Sequence, residues 1–96
     1  MLQEVQITSS GPAAIKPLLE SAIRSQLKTL EFGIQRTRER LAEFEKRYSL
    51  STTEFERSFT SGEFEESLDF IEWSGEIKTL KLLEDQLLAL RSANIR

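Results

Sequence analysis

Apolar side chains recur every three or four residues through the first half of the chain, which is the period of an α-helix. From Ile23 to Tyr48 the spacing between successive members alternates between four and three residues. Seven of the eight members are apolar, and this heptad pattern predicts a helix with a coiled-coil seam. The seam positions are Ile23, Leu27, Leu30, Ile34, Thr37, Leu41, Phe44 and Tyr48.

The first helix is expected to cover about residues 13–48, and two prolines leave its start open. If Pro12 is the first helical residue, Pro17 lies inside the helix and should kink it. Alternatively the regular helix begins with Pro17, because the missing N–H costs nothing at the first helical position. The pattern favours a start between these two prolines.

A second, short helix is predicted over about residues 52–60. Ser51 is a good helix cap, and Glu54 three residues later completes a capping box. Leu50 and Phe55 have the spacing of a hydrophobic staple. The Ser61–Gly62 pair then ends the helix. The segment between the two long helices should therefore be an ordered helical corner.

The last helix is predicted over about residues 66–93, with its start left open between Glu65 and Asp69, and its apolar residues form a broad stripe at helical spacing. Placed antiparallel to the first helix, it matches the seam in one register. Tyr48 then meets Phe70, and Phe44 meets Trp73, so these four aromatic residues should lie in the core. The same register pairs the remaining positions as Leu41 with Ile77, Thr37 with Leu80, Ile34 with Leu83, Leu30 with Leu87, and Leu27 with Leu90.

The predicted fold is all-α: an antiparallel, coiled-coil-like helical hairpin with a short helical corner, forming a single domain over residues 12–96. Residues 1–11 precede it as an extended N-terminal arm, because Val5 and Ile7 alternate with polar residues and a Ser-Ser-Gly-Pro turn follows.

Composition removes several function classes. The 96 residues include no cysteine and no histidine, which excludes disulfides, thiol catalysis and the usual general base near neutral pH. A net charge of −3 provides no basic field for general nucleic-acid binding. No uncharged apolar run reaches the length of a membrane span. A cytoplasmic, soluble protein without a cofactor is expected.

Three carboxylates near the start of the last helix, Asp69, Glu72 and Glu76, share one helical face. Carboxylates on bundle helices hold Mg²⁺ in nucleotide pyrophosphohydrolases, so a Mg²⁺-dependent nucleotide hydrolase is one hypothesis. That chemistry needs further acids from the facing helix, which presents apolar residues instead. We therefore expect no metal site and no catalytic residues. A solvated acidic surface is the simpler interpretation of these carboxylates. A third interpretation is a docking face for a basic partner.

Arg36, Arg38 and Arg40 alternate with other residues, and alternate positions on a helix point about 200° apart. The three arginines therefore do not form one tight phosphate-binding patch. We expect a solvated, ion-paired face instead.

The first helix is longer than its partner. In the predicted register the last helix ends opposite Arg24, so the preceding apolar residues project past the hairpin. Exposed apolar strips mark interfaces. Phe32, on the back of the first helix, is assigned to the same surface, and Val5 and Ile7 either add contacts or fold back to cover the strip. The predicted partner-binding residues are Val5, Ile7, Ile15, Leu18, Leu19, Ala22, Ile23 and Phe32.

Three blocks, residues 31–41, 44–48 and 69–76, occur with a short helical insert after the second. In this spacing the chain resembles a family of small prokaryotic helical proteins of unknown or antitoxin-like role, over roughly residues 30–90. The resemblance implies a cytoplasmic protein, the antitoxin half of a toxin–antitoxin pair, which masks a toxin through its termini or an exposed helix face. The sequence shows no helix-turn-helix for DNA binding.

The leading hypothesis is a protein-binding helical module without catalytic activity, whose partner is another protein such as a toxin, its own second copy in a homodimer, or both. The alternatives are a purely structural homo-oligomer and the Mg²⁺-dependent hydrolase. No membrane contact is expected.

Overall fold

The computed structural model describes residues 12–93 and confirms the all-α prediction. Helix α1 spans Pro12–Tyr48, α2 spans Thr52–Thr60, and α3 spans Leu68–Ser92, and no strand occurs within this range. Residues 1–11 and 94–96 lie outside the described part, and with them the predicted arm.

Helix α1 begins at Pro12 and continues through Pro17 for 37 residues. Of the two starts considered, the earlier one is therefore found. Pro17 has no N–H to donate to the carbonyl four residues earlier. At the other end, α1 stops at the predicted Tyr48, and Ser49 adopts a left-handed conformation with φ 51°. The chain thus reverses direction immediately after the last seam residue.

Helix α2 starts with the predicted cap: the Ser51 hydroxyl accepts a hydrogen bond from the Glu54 N–H at 3.1 Å. The reciprocal half of the capping box is absent among the described hydrogen bonds. The Glu54 carboxylate pairs instead with Arg57 at 2.8 Å, and the Thr52 N–H donates to Glu45 of α1 at 2.6 Å. Helix α2 ends at Thr60, and Gly62, two residues further on, adopts φ 83°, as expected for a glycine after a helix.

Helix α3 begins at Leu68, between the two starts that the sequence pattern left open. The Ser67 hydroxyl accepts a hydrogen bond from the Phe70 N–H at 3.1 Å and caps the helix, so Leu68 is its first residue. Among residues 63–66, which precede this cap, Phe64 packs against the buried core. Of the two starts considered, the one near Asp69 is therefore the closer, and residues 65–66 are part of the connection.

The predicted antiparallel register is confirmed at the corner end of the hairpin. The Phe44 and Trp73 rings stack with centroids 5.4 Å apart, and the Tyr48 ring meets the edge of Phe70 at 5.1 Å. Leu41 and Ile77 belong to one buried cluster. Further along, a Cβ on Gly33 would lie 3.2 Å from Leu83, so α1 and α3 approach closely there.

The core centres on a residue that the seam pattern did not include. Phe55 of α2 and Trp73 of α3 are both 0% exposed, and their rings stack with centroids 4.0 Å apart. The Trp73 indole N–H donates to the Thr52 hydroxyl at 3.2 Å, so its polar atom has a partner. Tyr48, predicted as core, keeps 37% of its surface exposed because its hydroxyl reaches Asp69 at the rim.

Candidate partner-binding surface

The first turns of α1 extend beyond the end of α3. The pairing of Phe44 with Trp73, continued one residue for one residue, places Ser92 opposite Ser25. Residues 12–24 of α1 therefore have no facing residue in α3. At ~1.5 Å per residue this overhang is about 20 Å long.

The overhang exposes apolar side chains on a face beside the seam, whose own four- and three-residue spacing continues through Glu20 and Lys16. Leu18 is 55% exposed and Leu19 is 47% exposed. Ala22 is also exposed, while Ile15 and Ile23 are half-buried. We name this surface the overhang strip, and its members are Ala14, Ile15, Leu18, Leu19, Ala22 and Ile23.

The strip brings together five of the eight predicted partner-binding residues. Because members recur at i, i+3 and i+4, they lie on consecutive turns of one helix. Ile23 connects the strip directly to Leu27 and the buried Leu30 of the hairpin seam. The strip thus adjoins, at Ile23, the interface that α3 covers, and it faces a different side of α1.

Phe32 lies apart from the strip. It is 79% exposed and borders a shallow depression formed with Lys28, Glu31 and Gln35. Along α1 it lies nine residues beyond Ile23, which is about 14 Å at ~1.5 Å per residue. The structure therefore does not support one continuous surface containing both.

Val5 and Ile7, the two remaining predicted contact residues, lie outside the described residues.

The three carboxylates considered as a metal site contact arginines of α1. Arg40 lies 2.7 Å from Glu72 and 2.8 Å from Glu76, and Arg47 lies 2.9 Å from Asp69. The Arg40 Nε contact with Glu76 is an ion pair without hydrogen-bond alignment. Within residues 12–93, no three acidic side chains are placed to share a metal ion. Guanidinium groups of α1 thus pair with each of the three carboxylates.

Asp69 forms a small polar cluster with Tyr48 and Arg47 at the corner. The Tyr48 hydroxyl donates a short hydrogen bond to the Asp69 carboxylate, which also accepts one from Arg47 at 2.9 Å. These bonds, the Tyr48 bond first, favour the charged carboxylate and lower the pKa of Asp69. The same bond favours the neutral phenol and raises the pKa of Tyr48. The cluster is open to solvent and joins α1 to the start of α3.

An ion-paired face was predicted for all three arginines of the alternating segment. Two of them form ion pairs across the hairpin. Arg38 pairs with Glu84 at 2.7 Å, and Arg40 pairs with the two glutamates above. Arg36 borders a depression beside Gly33 and Thr37. The alternation therefore sends neighbouring arginines to different flanks of the hairpin.

The sequence pattern did not indicate a groove along one flank of the hairpin. This open groove of about 790 Å³ has Ile34, Ala42, Leu87 and Leu88 among its lining residues. Ion pairs Arg38–Glu84 and Arg91–Glu31 border it. The sequence sign of this groove is Leu88, an apolar residue outside the paired seam positions. In the structure Leu88 is 67% exposed.

The groove and the overhang strip are separate surfaces. On α1 the groove follows Glu31, Gln35, Arg38 and Ala42. At helical spacing this row continues towards the N-terminus through polar residues, Lys28 and Arg24, instead of through the strip.

In comparisons with known proteins, no family model, no curated protein and no solved structure matches this chain. None of the helices within residues 12–93 combines the length and apolar character needed to cross a membrane.

Proposed function

We propose that this protein is a helical-hairpin module that binds another protein through the overhang strip and carries no catalytic chemistry of its own. The observation that carries the proposal is the unpaired start of α1, where Leu18 and Leu19 are about half exposed and no residue of α3 lies opposite. Such a surface is suited to receive a helix or sheet of a partner.

The physical argument is the hydrophobic effect. Burying a leucine or isoleucine side chain fully is worth roughly 1.5–3 kcal/mol. A partner that covers Leu18, Leu19 and Ile15 therefore gains several kcal/mol before the cost of association. No element within residues 12–93 faces these side chains across the seam.

A non-catalytic role is supported by the state of the acidic residues. Asp69, Glu72 and Glu76 are neutralised by Arg40 and Arg47. A magnesium-dependent hydrolase would need these groups free to coordinate the ion. We therefore favour the protein-binding role over the hydrolase as the function of this protein.

The finer form of the proposal is an antitoxin-like role in the cytoplasm, in which the strip masks a small protein toxin. Its support is the resemblance of residues 31–41, 44–48 and 69–76 to that class of helical proteins. A toxin with an apolar groove complementary to one helix face fits the strip in shape and chemistry.

The test replaces Leu18 and Leu19 together by glutamate. Because glutamate is a good helix former, α1 should remain helical by circular dichroism. The matched control is the double glutamate variant of Ile71 and Leu82, which are 51% and 57% exposed on α3.

The wild type and both variants are used to isolate partners from the native host, and the protein identified by mass spectrometry is then purified. We expect the purified partner to form a stoichiometric complex with the wild type and the α3 variant, and to fail with L18E/L19E. A complex that survives L18E/L19E, or an L18E/L19E variant that unfolds as a monomer, would show that the strip is not the binding surface.

A further inference from the structure

Helix α3 has an exposed face on the side away from α1. At ~100° per residue, Leu82 lies about 160–180° round the helix from the seam residues Trp73 and Leu80. Leu82 is 57% exposed, and its neighbours on the same side of α3 are exposed as well. We name this surface the outer face, and its members include Ile71, Gly75, Lys78, Leu82, Asp85 and Ala89.

Ion pairing distinguishes the outer face from the rest of α3. Six of the eight charged side chains of α3 pair with α1 or α2. The two without an ion pair among residues 12–93 are Lys78 and Asp85, which carry opposite charges and both lie on the outer face. Seven residues separate them, beyond the three or four at which side chains of one helix meet. Lys81, one turn from Asp85, pairs with Glu56 of α2 at 2.8 Å.

We propose that a second copy of this chain supplies both missing partners. The two α3 helices pack antiparallel through their outer faces, about a two-fold axis at the level of Leu82. Lys78 and Asp85 lie on the same side of Leu82, about 40° and 60° round the helix. The two-fold axis keeps that side common to both copies, so Lys78 of one copy lies within one residue of the position opposite Asp85 of the other. The symmetry creates this pair twice.

The apolar members of the outer face meet in the same register. Leu82 packs against Leu82 of the second copy at the axis, and Gly75 meets Ala89 of the second copy on either side of it. Because the residues at these flanking positions are small, the helices can approach closely around the central leucines. Ile71 lies one turn from Ala89 of the second copy and completes the interface at each end.

Helix length and charge both select the antiparallel arrangement. The midpoint of Leu68–Ser92 is Leu80, two residues from the proposed axis, so two copies overlap along most of α3. A parallel pairing in register would place lysine beside lysine and aspartate beside aspartate, which repel. The seam of α3 remains turned towards α1, so the packing of the hairpin is unchanged.

The size of the outer face determines the expected affinity. One pair of helices in contact over about 30 Å forms an interface below the ~1,200 Å² of standard specific complexes. We therefore expect a dimer with a dissociation constant on the order of 10–100 µM. At low micromolar concentration the chain is then mostly monomeric, and Leu82 is exposed as observed.

The first experiment tests the charge pairs by mixing variants. K78E and D85K each place like charges opposite one another in a homodimer. Each should weaken dimerisation by about threefold to tenfold in sedimentation equilibrium. An equimolar mixture of the two forms heterodimers in which opposite charges face each other twice, and it should regain nearly wild-type affinity.

The matched control is K46E, because Lys46 is exposed on α1 and its reversal changes the net charge as K78E does. K46E should dimerise like the wild type. Net charge alone would weaken K46E and K78E equally and would not weaken D85K, which makes the chain less acidic. That pattern, a mixture that fails to regain affinity, or a wild type that is monomeric at millimolar concentration would each contradict the proposed interface.

The second experiment measures the register by disulfide trapping. The chain contains no cysteine, so single substitutions carry no background. L82C places each thiol beside that of the second copy, and oxidation above the dissociation constant should cross-link most of the protein. A89C should remain uncross-linked, since its two positions lie about 20 Å apart along the axis and a disulfide needs Cα atoms within about 7 Å. Efficient cross-linking of A89C, or none of L82C, overturns the antiparallel register.

The dimer and the proposed function are tested separately, because the outer face lies on α3 and the overhang strip on α1. L18E/L19E should dimerise like the wild type, whereas the I71E/L82E control should be monomeric and still bind the purified partner. Dimerisation that is lost in L18E/L19E but kept in I71E/L82E assigns self-association to the strip and overturns this interface. A wild type that dimerises as described, while L18E/L19E still binds the partner, refutes the proposed role of the strip alone.

Discussion

The two ends of the hairpin contain equally apolar residues in opposite environments. At the corner end, Phe55 and Trp73 are 0% exposed. At the open end, Leu18 and Leu19 are 55% and 47% exposed. Both pairs lie on regular helices, so helix formation does not explain the contrast.

The difference is the number of helices that converge. At the corner, α2 lies across the junction of α1 and α3, so that Phe55 stacks on Trp73 while Trp73 also stacks on Phe44. At the open end, α1 continues alone after α3 has ended. Hydrophobicity creates the tendency to be buried, but the presence of a facing element decides whether burial occurs within one chain.

The strongest way to test this contrast is to remove Phe55. Phe55→Ala should lower the free energy of unfolding by about 3–5 kcal/mol, because it leaves a cavity beneath Trp73. The matched change at the open end, Leu19→Ala, should cost less than about 1 kcal/mol. Urea denaturation of both variants measures the two values, and similar losses would show that the ends are equally packed.

Truncating a side chain in the middle of the seam should lower the free energy of unfolding nearly as much. Leu41 is 7% exposed, and Leu41→Ala is expected to cost roughly 2–5 kcal/mol. Leu82, which is 57% exposed on α3, is the control, and Leu82→Ala should stay within about 0.5 kcal/mol of wild type. A loss below about 1 kcal/mol for Leu41→Ala would contradict the observed register.

Two glycines inside helices sharpen the comparison between covered and open positions. Gly75→Ala should raise the free energy of unfolding by about 0.5–1 kcal/mol, and the melting temperature with it. Alanine favours the helix, and nothing lies within 4 Å of the added Cβ. Gly33→Ala should gain less, since its Cβ would lie 3.2 Å from Leu83. An equal gain at both positions would mean that Leu83 moves aside freely.

The smallest expected effect is the pH response of the solvent-exposed Asp69. Its pKa is lowered below the ordinary value of 3.8, chiefly by the Tyr48 hydrogen bond and then by Arg47. A carboxyl with a depressed folded-state pKa stabilises the fold above its unfolded pKa, and this contribution is lost as the pH falls through the folded value.

Carbon-detected NMR titration of the Asp69 carboxyl, in the folded chain and in urea, measures the pKa shift. Tyr48→Phe should raise the folded-state pKa of Asp69, and Arg47→Ala should also raise it. A midpoint at or above 3.8 in the folded wild type would remove the cluster as a link between α1 and α3.

The register and the corner cap were predictable because they depend on short-range rules. Alternating four- and three-residue spacing defines one helix face, and only one antiparallel alignment brings Phe44 to Trp73 and Tyr48 to Phe70. Ser51 was recognisable as a cap from its position before Glu54. The start of the last helix stayed open between Glu65 and Asp69 because the acidic residues before Ser67 are good helix formers, and helix propensity alone does not locate the first residue.

The sequence by itself determined that three helices make up most of residues 12–93, which faces of the long helices are apolar, and that α1 is longer than α3. Helical periodicity and helix length are local properties of the chain. Only the tertiary structure decided that Phe55 becomes the centre of the core, that Arg40 and Arg47 neutralise the acids of α3, and that Phe32 is separated from the overhang strip. These outcomes depend on how three helices meet in space, because a side chain's burial and partners are set by residues far away along the chain.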